Sequence, residues 1–206
     1  VKQAVREVLV LKKSEIARKR ILDAAEAEFA EKGLYGTRVD EIAARSGINK
    51  RMMYVYFGNK EELYMTILKT VYSRLTEYEE KLFASSNTGV AAVRDVIMLY
   101  CDFLSNNPSF IKLVQWENLM DGRYFAESGA PDLKRSALDM MKRVLQKGVD
   151  EGCFRSDIDI EQTAISMNMF CFSAFSNMYT MSMLLGRDLS ADEEIKKRAE
   201  HISDVL

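Results

Sequence analysis

Fourteen consecutive positions, Gly47 to Lys60, read GINKRMMYVYFGNK and hold three basic residues, three aromatics and two glycines. Lys50, Arg51 and Lys60 offer cationic donors, and Tyr54 and Tyr56 offer hydroxyls on flat apolar rings. Arginine and lysine suit the two acceptors of a guanine edge, and all of these groups suit phosphate oxygens. The chemistry within reach is recognition of a nucleic acid rather than the making of bonds. It requires the basic residues to stand at a helix start. Asn49 can cap a short helix over Lys50–Tyr56, which puts Lys50 and Arg51 in its first turn, where the helix dipole favours phosphate. Met53 and Phe57 are four apart and should face inward. Tyr54 then points to another side, and Tyr56 lies near the C-terminal end within reach of phosphate. Gly58 ends this helix, and Asn59 can cap the next, with Lys60 at its start.

The elements that must position these groups are helices. Ile21, Ala25 and Phe29 recur at spacing four beside Ala24, which predicts an amphipathic helix from about Ser14 to Lys32, stopped by Gly33. Residues 1–13 show only a weak helical pattern and are expected to form an extra turn or a mobile arm. Thr37 can cap a short helix with Val39, Ile42 and Ala43 inward, ended by Gly47. Two short helices with a glycine turn and basic residues opening the second make a helix-turn-helix. From Asn59 to about Ser85, Leu63, Ile67, Val71, Leu75, Tyr78 and Leu82 keep one face apolar, a rod of roughly 35–40 Å. Further helices are expected over Val90–Ser105, Pro108 to about Met120, Pro131–Glu151, about Asp159 to Leu185, and Ala191–Leu206. Both prolines sit where a helix can begin. Asp159 and Gln162 are spaced as a capping box. No convincing alternating strand appears. The fold class is all-α, about nine helices, with a head over residues 1–66 and a body over 67–206, divided inside the rod near Thr66–Tyr72.

Charge agrees with a division of labour. The net charge of −2 splits into +3 over residues 1–65 and −5 over residues 66–206, so an anionic partner fits the front. The three cysteines, Cys101, Cys153 and Cys171, match no disulfide framework or zinc spacing, which suggests a reducing, cytoplasmic setting. The start of the chain has no signal-peptide core. The longest uncharged run, Gln162–Gly186, has the length of a membrane span, but its serines, asparagines and Thr180 favour a helix buried on most sides of a globular protein.

On the residues alone, a solvated basic surface and a DNA-reading surface both remain open for the hairpin. Residues 16–64 narrow the choice, because "RILDAAEAEFAEKG", "GTRVDEIAARSGI" and "YVYFGNKEEL" follow one another with the spacing of a known head. In this stretch the chain closely resembles the tetracycline-repressor (TetR) family of bacterial regulators. Met53 is a mild departure, since leucine or isoleucine is usual there. The resemblance implies that Lys50, Arg51 and Met52 touch bases or neighbouring phosphates. It implies backbone contacts for Tyr54 and Tyr56, with Tyr54 able to reach a base, and a phosphate contact for Lys60. Thr37 and Arg38 would open the helix that crosses the DNA backbone, and Asn49 belongs to the same DNA-binding set. Lys50 or Arg51 to a guanine edge is the preferred base contact. Ala43 and Gly47 suit packing and turning. Lys12, Lys13, Arg18 and Lys19 suit either phosphate or a solvated face.

The resemblance is weaker over residues 72–206. There the family usually encloses a small-molecule pocket and dimerises through its last two helices. Nine of the twelve methionines lie between Met98 and Met183, and with the aromatics they make an adaptable apolar interior. Pocket candidates are Tyr100, Phe103, Phe110, Gln115, Trp116, Glu117, Met120, Asn168, Phe172, Phe175 and Tyr179, with Asn118 and Asn177 as further polar groups. Plain core is the competing reading for each. Ala164, Cys171, Met178 and Leu185 recur every seven residues with Met167, Ala174 and Met181 between them, a seam suited to a partner helix. A two-fold dimer through residues 160–185 and 191–206 is expected, with a small, largely apolar effector and a near-palindromic operator.

Catalysis finds little support. His201, the single histidine, sits in a charged helix, no phosphate-cradling loop or metal-spaced cluster occurs, and Glu117 has no evident catalytic partner. No catalytic residues, metal site or cofactor are expected. A helical small-molecule-binding protein without DNA recognition is the other alternative, and the intact Lys50, Arg51, Tyr56 and Lys60 argue against it.

Overall fold

A computed structural model describes the backbone of residues 2–82 and 87–206, and the side chains of residues 13–79, 87–133, 135 and 138–206. The described residues form eleven helices and no strand. They fall into two units. The first comprises Val1–Thr70 with Lys112–Ser128, and the second Val71–Ile111 with Gly129–Leu206.

In the first unit, α1 (Lys2–Gly36) begins twelve residues earlier than the apolar spacing suggests, so residues 2–13 extend the helix instead of forming an arm. Gly33, at φ 67° and ψ 178°, interrupts α1 without ending it. The helices α2 (Val39–Ser46) and α3 (Lys50–Phe57) follow, and then α4 (Lys60–Leu82), which contributes residues to both units. Ile21, Ala25, Phe29, Ile42, Met53, Leu63, Tyr64, Ile67 and Leu68 form the buried centre of this unit. Each of the larger aliphatic and phenylalanine side chains contributes about 1.5–3 kcal/mol on leaving water. The end of the rod beyond Leu82, including Ser85, lies outside the described residues.

The first unit also holds most of α6 (Pro108–Leu119) and all of α7 (Arg123–Glu127). The segment 112–128 therefore does not group with the rest of residues 67–206. α7 is one of the two helices beyond the expected nine. It is five residues long and follows Asp121, which has φ 56°, and Gly122. A turn of this kind leaves no periodic signature.

In the second unit, α5 (Gly89–Asn106) packs against α8 (Ala130–Asp150), α9 (Ile160–Ser176) and α11 (Asp192–Val205). Its core joins Val93, Ile97, Phe103 and Leu104 of α5 to Met140, Met141 and Leu145 of α8, Met167 and Cys171 of α9, and Ile202 of α11. Asp159 caps α9 by accepting the Gln162 amide at 3.0 Å. The long uncharged helix is broken. At Asn177 (φ −108°, ψ 8°) α9 ends and α10 (Met178–Leu185) begins. Asn177 draws its side chain back to the Ser173 carbonyl at 3.2 Å, the local competition with the helix ladder typical of asparagine. Among the described residues no helix is long and apolar enough to cross a membrane.

Candidate nucleic-acid interface

Local signals build the hairpin of α2 and α3. The Arg38 amide donates to the Glu41 carboxylate at 3.1 Å, and Asp40 and Glu41 stand in the first turn of α2. Gly47 closes α2 in the left-handed conformation, φ 65°. Glycine suits the turn because a side chain there would have to adopt the left-handed conformation. Ser46 accepts the Ile48 amide at 3.2 Å across the same turn. Asn49 then caps α3, its side-chain oxygen accepting the Met52 amide at 2.9 Å.

Met53 anchors α3 in the core at 3% exposure, as its spacing implied. Phe57 is only half-buried. Tyr56 is half-buried too, and the Arg18 guanidinium lies over both rings, 4.9 Å from the Tyr56 centroid and 5.8 Å from that of Phe57. Arg18 thus stacks on α3, a contact its own sequence context does not announce. Lys50, Arg51, Tyr54 and Val55 are exposed and Met52 is half-buried. The first turn of α3 therefore presents two cations at a helix N-terminus, where the dipole favours an anion. Lys50 pairs with Asp40 at 3.0 Å, and that carboxylate pushes its ammonium pKa up. The pair is exposed, so it holds Lys50 weakly and leaves it available to an anion.

Gly58 ends α3 at φ 75°. Asn59 caps α4 by accepting the Glu62 amide at 2.8 Å and returns its own amide to the Glu62 carboxylate at 3.1 Å. Lys60, half-buried, reaches back to the Thr37 carbonyl at 3.2 Å. Thr37 departs from the sequence expectation. It does not cap α2, whose N-cap is Arg38. Thr37 is 2% exposed, and its hydroxyl donates to the Gly33 carbonyl at 2.7 Å and the Glu28 carbonyl at 3.0 Å. Its side chain is spent on holding α1 to α2 and offers nothing to DNA. The bond to the Gly33 carbonyl is the i−4 back-bonding common for threonine. Arg38 is exposed. Beneath α2, the Glu28 carboxylate pairs with Lys32 at 2.8 Å and Arg45 at 3.1 Å, and Lys32 reaches Glu41 at 3.0 Å. The hydrogen bond from Lys32, then that from Arg45, holds Glu28 below the usual carboxylate range against the opposing effect of burial.

The pocket candidates do not gather in one place. Tyr100, Phe103 and Phe110 are buried in the second unit, where Tyr100 donates to the carboxylate of Glu79, itself 2% exposed. Burial and that carboxylate push the Tyr100 phenol well above its ordinary pKa. Glu79, on the buried side of α4, escaped the sequence reading because a charge on an amphipathic rod normally faces water. Gln115, Trp116, Glu117 and Met120 belong to the first unit, and Gln115 is exposed. They group with the first unit rather than with the rest of the expected body. Asn118 is also exposed there, its amide turned to the Val114 carbonyl. Tyr179 is 72% exposed, and Asn168 and Phe172 are half-buried. Phe175 lines a groove of about 540 Å³ bounded by α9, α10 and α11.

The seam needs a similar correction. Ala164, Met167 and Cys171 face the unit's own core with at most 1% exposure, so no partner can reach them. Ala174, Met178, Met181 and Leu185 line the groove. Met169, Tyr179, Met183 and Leu184, which the seven-residue spacing omits, are also strongly exposed apolar residues of α9 and α10, alongside Leu185 of the seam. The described residues hold no group of three or more side chains suited to a metal, and His201 is exposed beside the groove.

Known proteins share this arrangement. Residues 21–66 match the family described as "Bacterial regulatory proteins, tetR family", and residues 90–206 match "Tetracyclin repressor-like, C-terminal domain". The chain is similar to the HTH-type transcriptional repressor NicS of Pseudomonas putida, 31% identical over 180 residues, which cover 87% of this chain and 84% of that one. It is also similar to the HTH-type transcriptional repressor KstR2 of Rhodococcus jostii, 30% identical over 146 residues, 70% of this chain and 71% of that one. In fold it resembles the transcriptional regulator FadR of Bacillus subtilis, solved in complex with stearoyl-CoA, with a TM-score of 0.72, 19% identity, and coverage of 92% of this chain and 99% of that one. With a capped, basic α3 in a helix-turn-helix and both parts of the family matched, the chain belongs to the TetR family of bacterial DNA-binding transcriptional regulators.

Proposed function

We propose that the protein is a ligand-released repressor that binds a near-palindromic operator as a two-fold dimer. The observation that carries this reading is the first turn of α3, where Lys50 and Arg51 stand exposed beside the Asn49 cap. A helix of this size enters the major groove, and its N-terminal residues meet base edges and phosphates. Arg51 is the preferred guanine contact, Lys50 leaves Asp40 for a phosphate or base, and Tyr54, Tyr56 and Lys60 hold the flanking backbone. Repression is the activity named for NicS and KstR2.

Dimerisation is supported by the exposed apolar residues of α10, Tyr179, Met183 and Leu184. A patch of that kind marks a protein contact more often than open solvent. A two-fold dimer would set two α3 helices one DNA turn, or a multiple of it, apart. A small, largely apolar effector in the second unit would favour dimers whose spacing does not fit the operator. Moving from mostly bound to mostly free takes about 5 kcal/mol of differential affinity. Bacillus subtilis FadR was solved with stearoyl-CoA, a larger and more anionic compound, so an acyl-CoA thioester is tested beside small apolar compounds.

The test is binding to duplexes selected from a random-sequence pool, measured against salt. A steep negative slope of log affinity on log salt, with preference for a selected palindrome, supports the reading. Failure to enrich any duplex defeats it. A selected duplex that stays bound at saturating effector defeats the release mechanism alone.

A further inference from the structure

Gly33 is the one residue inside α1 with non-helical backbone, and its missing side chain is replaced by another residue's ring. A Cβ at Gly33 would lie 2.8 Å from Cδ2 and 2.9 Å from Cε3 of Trp116. The Trp116 indole N–H also donates to the Ala30 carbonyl at 3.3 Å, so the ring spans the last regular turn of α1 and the break itself. Trp116 is the only tryptophan in the chain.

The segment that carries the ring is itself braced. Glu117 is 4% exposed, and its side chain accepts the Phe125 amide at 2.7 Å while its carbonyl accepts the Gly122 amide at 2.8 Å. Tyr124 meets Tyr64 of α4 edge to face with centroids 5.7 Å apart, and its hydroxyl lies 3.4 Å from that of Tyr35. The residues from Trp116 to Tyr124 are thus fastened at both ends to α1 and α4.

What Trp116 covers leads directly to the DNA-facing elements. The Gly33 carbonyl receives both the amide and the hydroxyl of Thr37, at 3.2 and 2.7 Å. The Thr37 carbonyl receives the Lys60 ammonium at 3.2 Å, and the next residue, Arg38, is the N-cap of α2. A glycine at φ 67° has the widest backbone freedom of any residue, so the angle of this turn depends on what holds it: the Thr37 bonds from within and the Trp116 ring from outside.

We propose that Trp116 is a positioning residue for DNA recognition: its indole fills the side-chain space of Gly33 and fixes the turn that sets α2, α3 and Lys60. The proposal rests on DNA binding through α3. Hydrogen bonds to base edges weaken steeply with misalignment, so a small rotation of α2 and α3 costs specific contacts first. Phosphate attraction without register survives it.

The experiment compares wild type, Trp116→Phe and Trp116→Ala on a selected duplex and on a scrambled duplex of equal length. Trp116→Ala is expected to weaken the selected duplex by about tenfold or more, a loss of ~1.4 kcal/mol, and to leave the scrambled one within about twofold. Trp116→Phe, which keeps a ring over Gly33, is expected to retain most of the specific affinity. Gly33→Ala should cost less specific affinity in the Trp116→Ala background than in wild type, because the clash with the ring is gone. Unchanged specific affinity for Trp116→Ala overturns the proposal. So does an equal fall on both duplexes with loss of helical signal, which would make the ring ordinary packing, and so does additivity with Gly33→Ala. A wild-type protein that enriches no duplex overturns the DNA-binding reading instead.

Discussion

Replacing Asn49 by alanine removes the oxygen that accepts the Met52 amide at 2.9 Å. α3 has only eight residues, and the Met52 amide also lies 3.0 Å from the Asn49 carbonyl, so the side chain reinforces the first turn rather than supplying that amide's sole partner. Losing such a cap costs about 1 kcal/mol, within a range of about 0.5–2. The same loss, felt as fraying of α3, lowers affinity for a selected duplex roughly fivefold. Asn49→Asp separates the two roles. Aspartate caps as well as asparagine and adds a favourable charge at the helix start, about 0.3–1 kcal/mol. It also sets a negative charge where a phosphate would dock. Urea unfolding should therefore show Asn49→Ala destabilised and Asn49→Asp equal to wild type or better. Fluorescence anisotropy with a labelled duplex should show both weakened, and Asn49→Asp the more so at low salt. An Asn49→Asp protein that binds DNA as tightly as wild type would refute the placement of phosphate at this turn. An unchanged unfolding midpoint for Asn49→Ala would refute the energetic role of the cap.

Arg51→Ala should lower specific affinity by about 1–3 kcal/mol if Arg51 reads a guanine, whereas Lys60→Ala should weaken all duplexes and reduce the salt slope by about one; anisotropy across a salt series distinguishes the two. Glu28 is held low by Lys32 and Arg45, so its contribution to stability is full above its unfolded pKa of about 4.3 and is lost as pH falls through the lower folded value. Glu28→Gln should flatten that acid limb and lower stability near neutral pH, read from urea midpoints between about pH 3 and 7. Met183→Glu together with Leu184→Glu, at positions 84% and 79% exposed, should leave the helical signal intact and shift sedimentation toward the monomer; an unchanged dimer mass would place the interface elsewhere.

The hairpin was legible because its signals act within one turn. Asn49 and Asn59 cap the helices they precede, and Gly47 and Gly58 end the helices they follow. Periodicity also exposed the buried faces of α1 and α4, from Ile21 and Phe29 to Leu63 and Leu75. Thr37 does not cap because α2 starts one residue later, with Arg38 as its N-cap, and the Thr37 hydroxyl donates to the carbonyls of Gly33 and Glu28 instead of accepting an amide. The seven-residue repeat from Ala164 to Leu185 defined a face without saying what it meets. Its first half is buried against the chain's own helices, and the break at Asn177 turns its second half into the wall of a groove.

By itself, then, the order of residues determined the all-helical class, the helix-turn-helix with its basic first turn, and the family to which they belong. These follow from backbone capping, hydrophobic period and charge, all of which operate over a few neighbouring residues. Only the tertiary structure decided that Lys112–Ser128 joins the head, that Trp116 supplies the side chain Gly33 lacks, and that Glu79 is a buried carboxylate paired with Tyr100. Each of these brings together residues distant in the chain. Such contacts depend on which surfaces fill the same volume, and no local pattern records that.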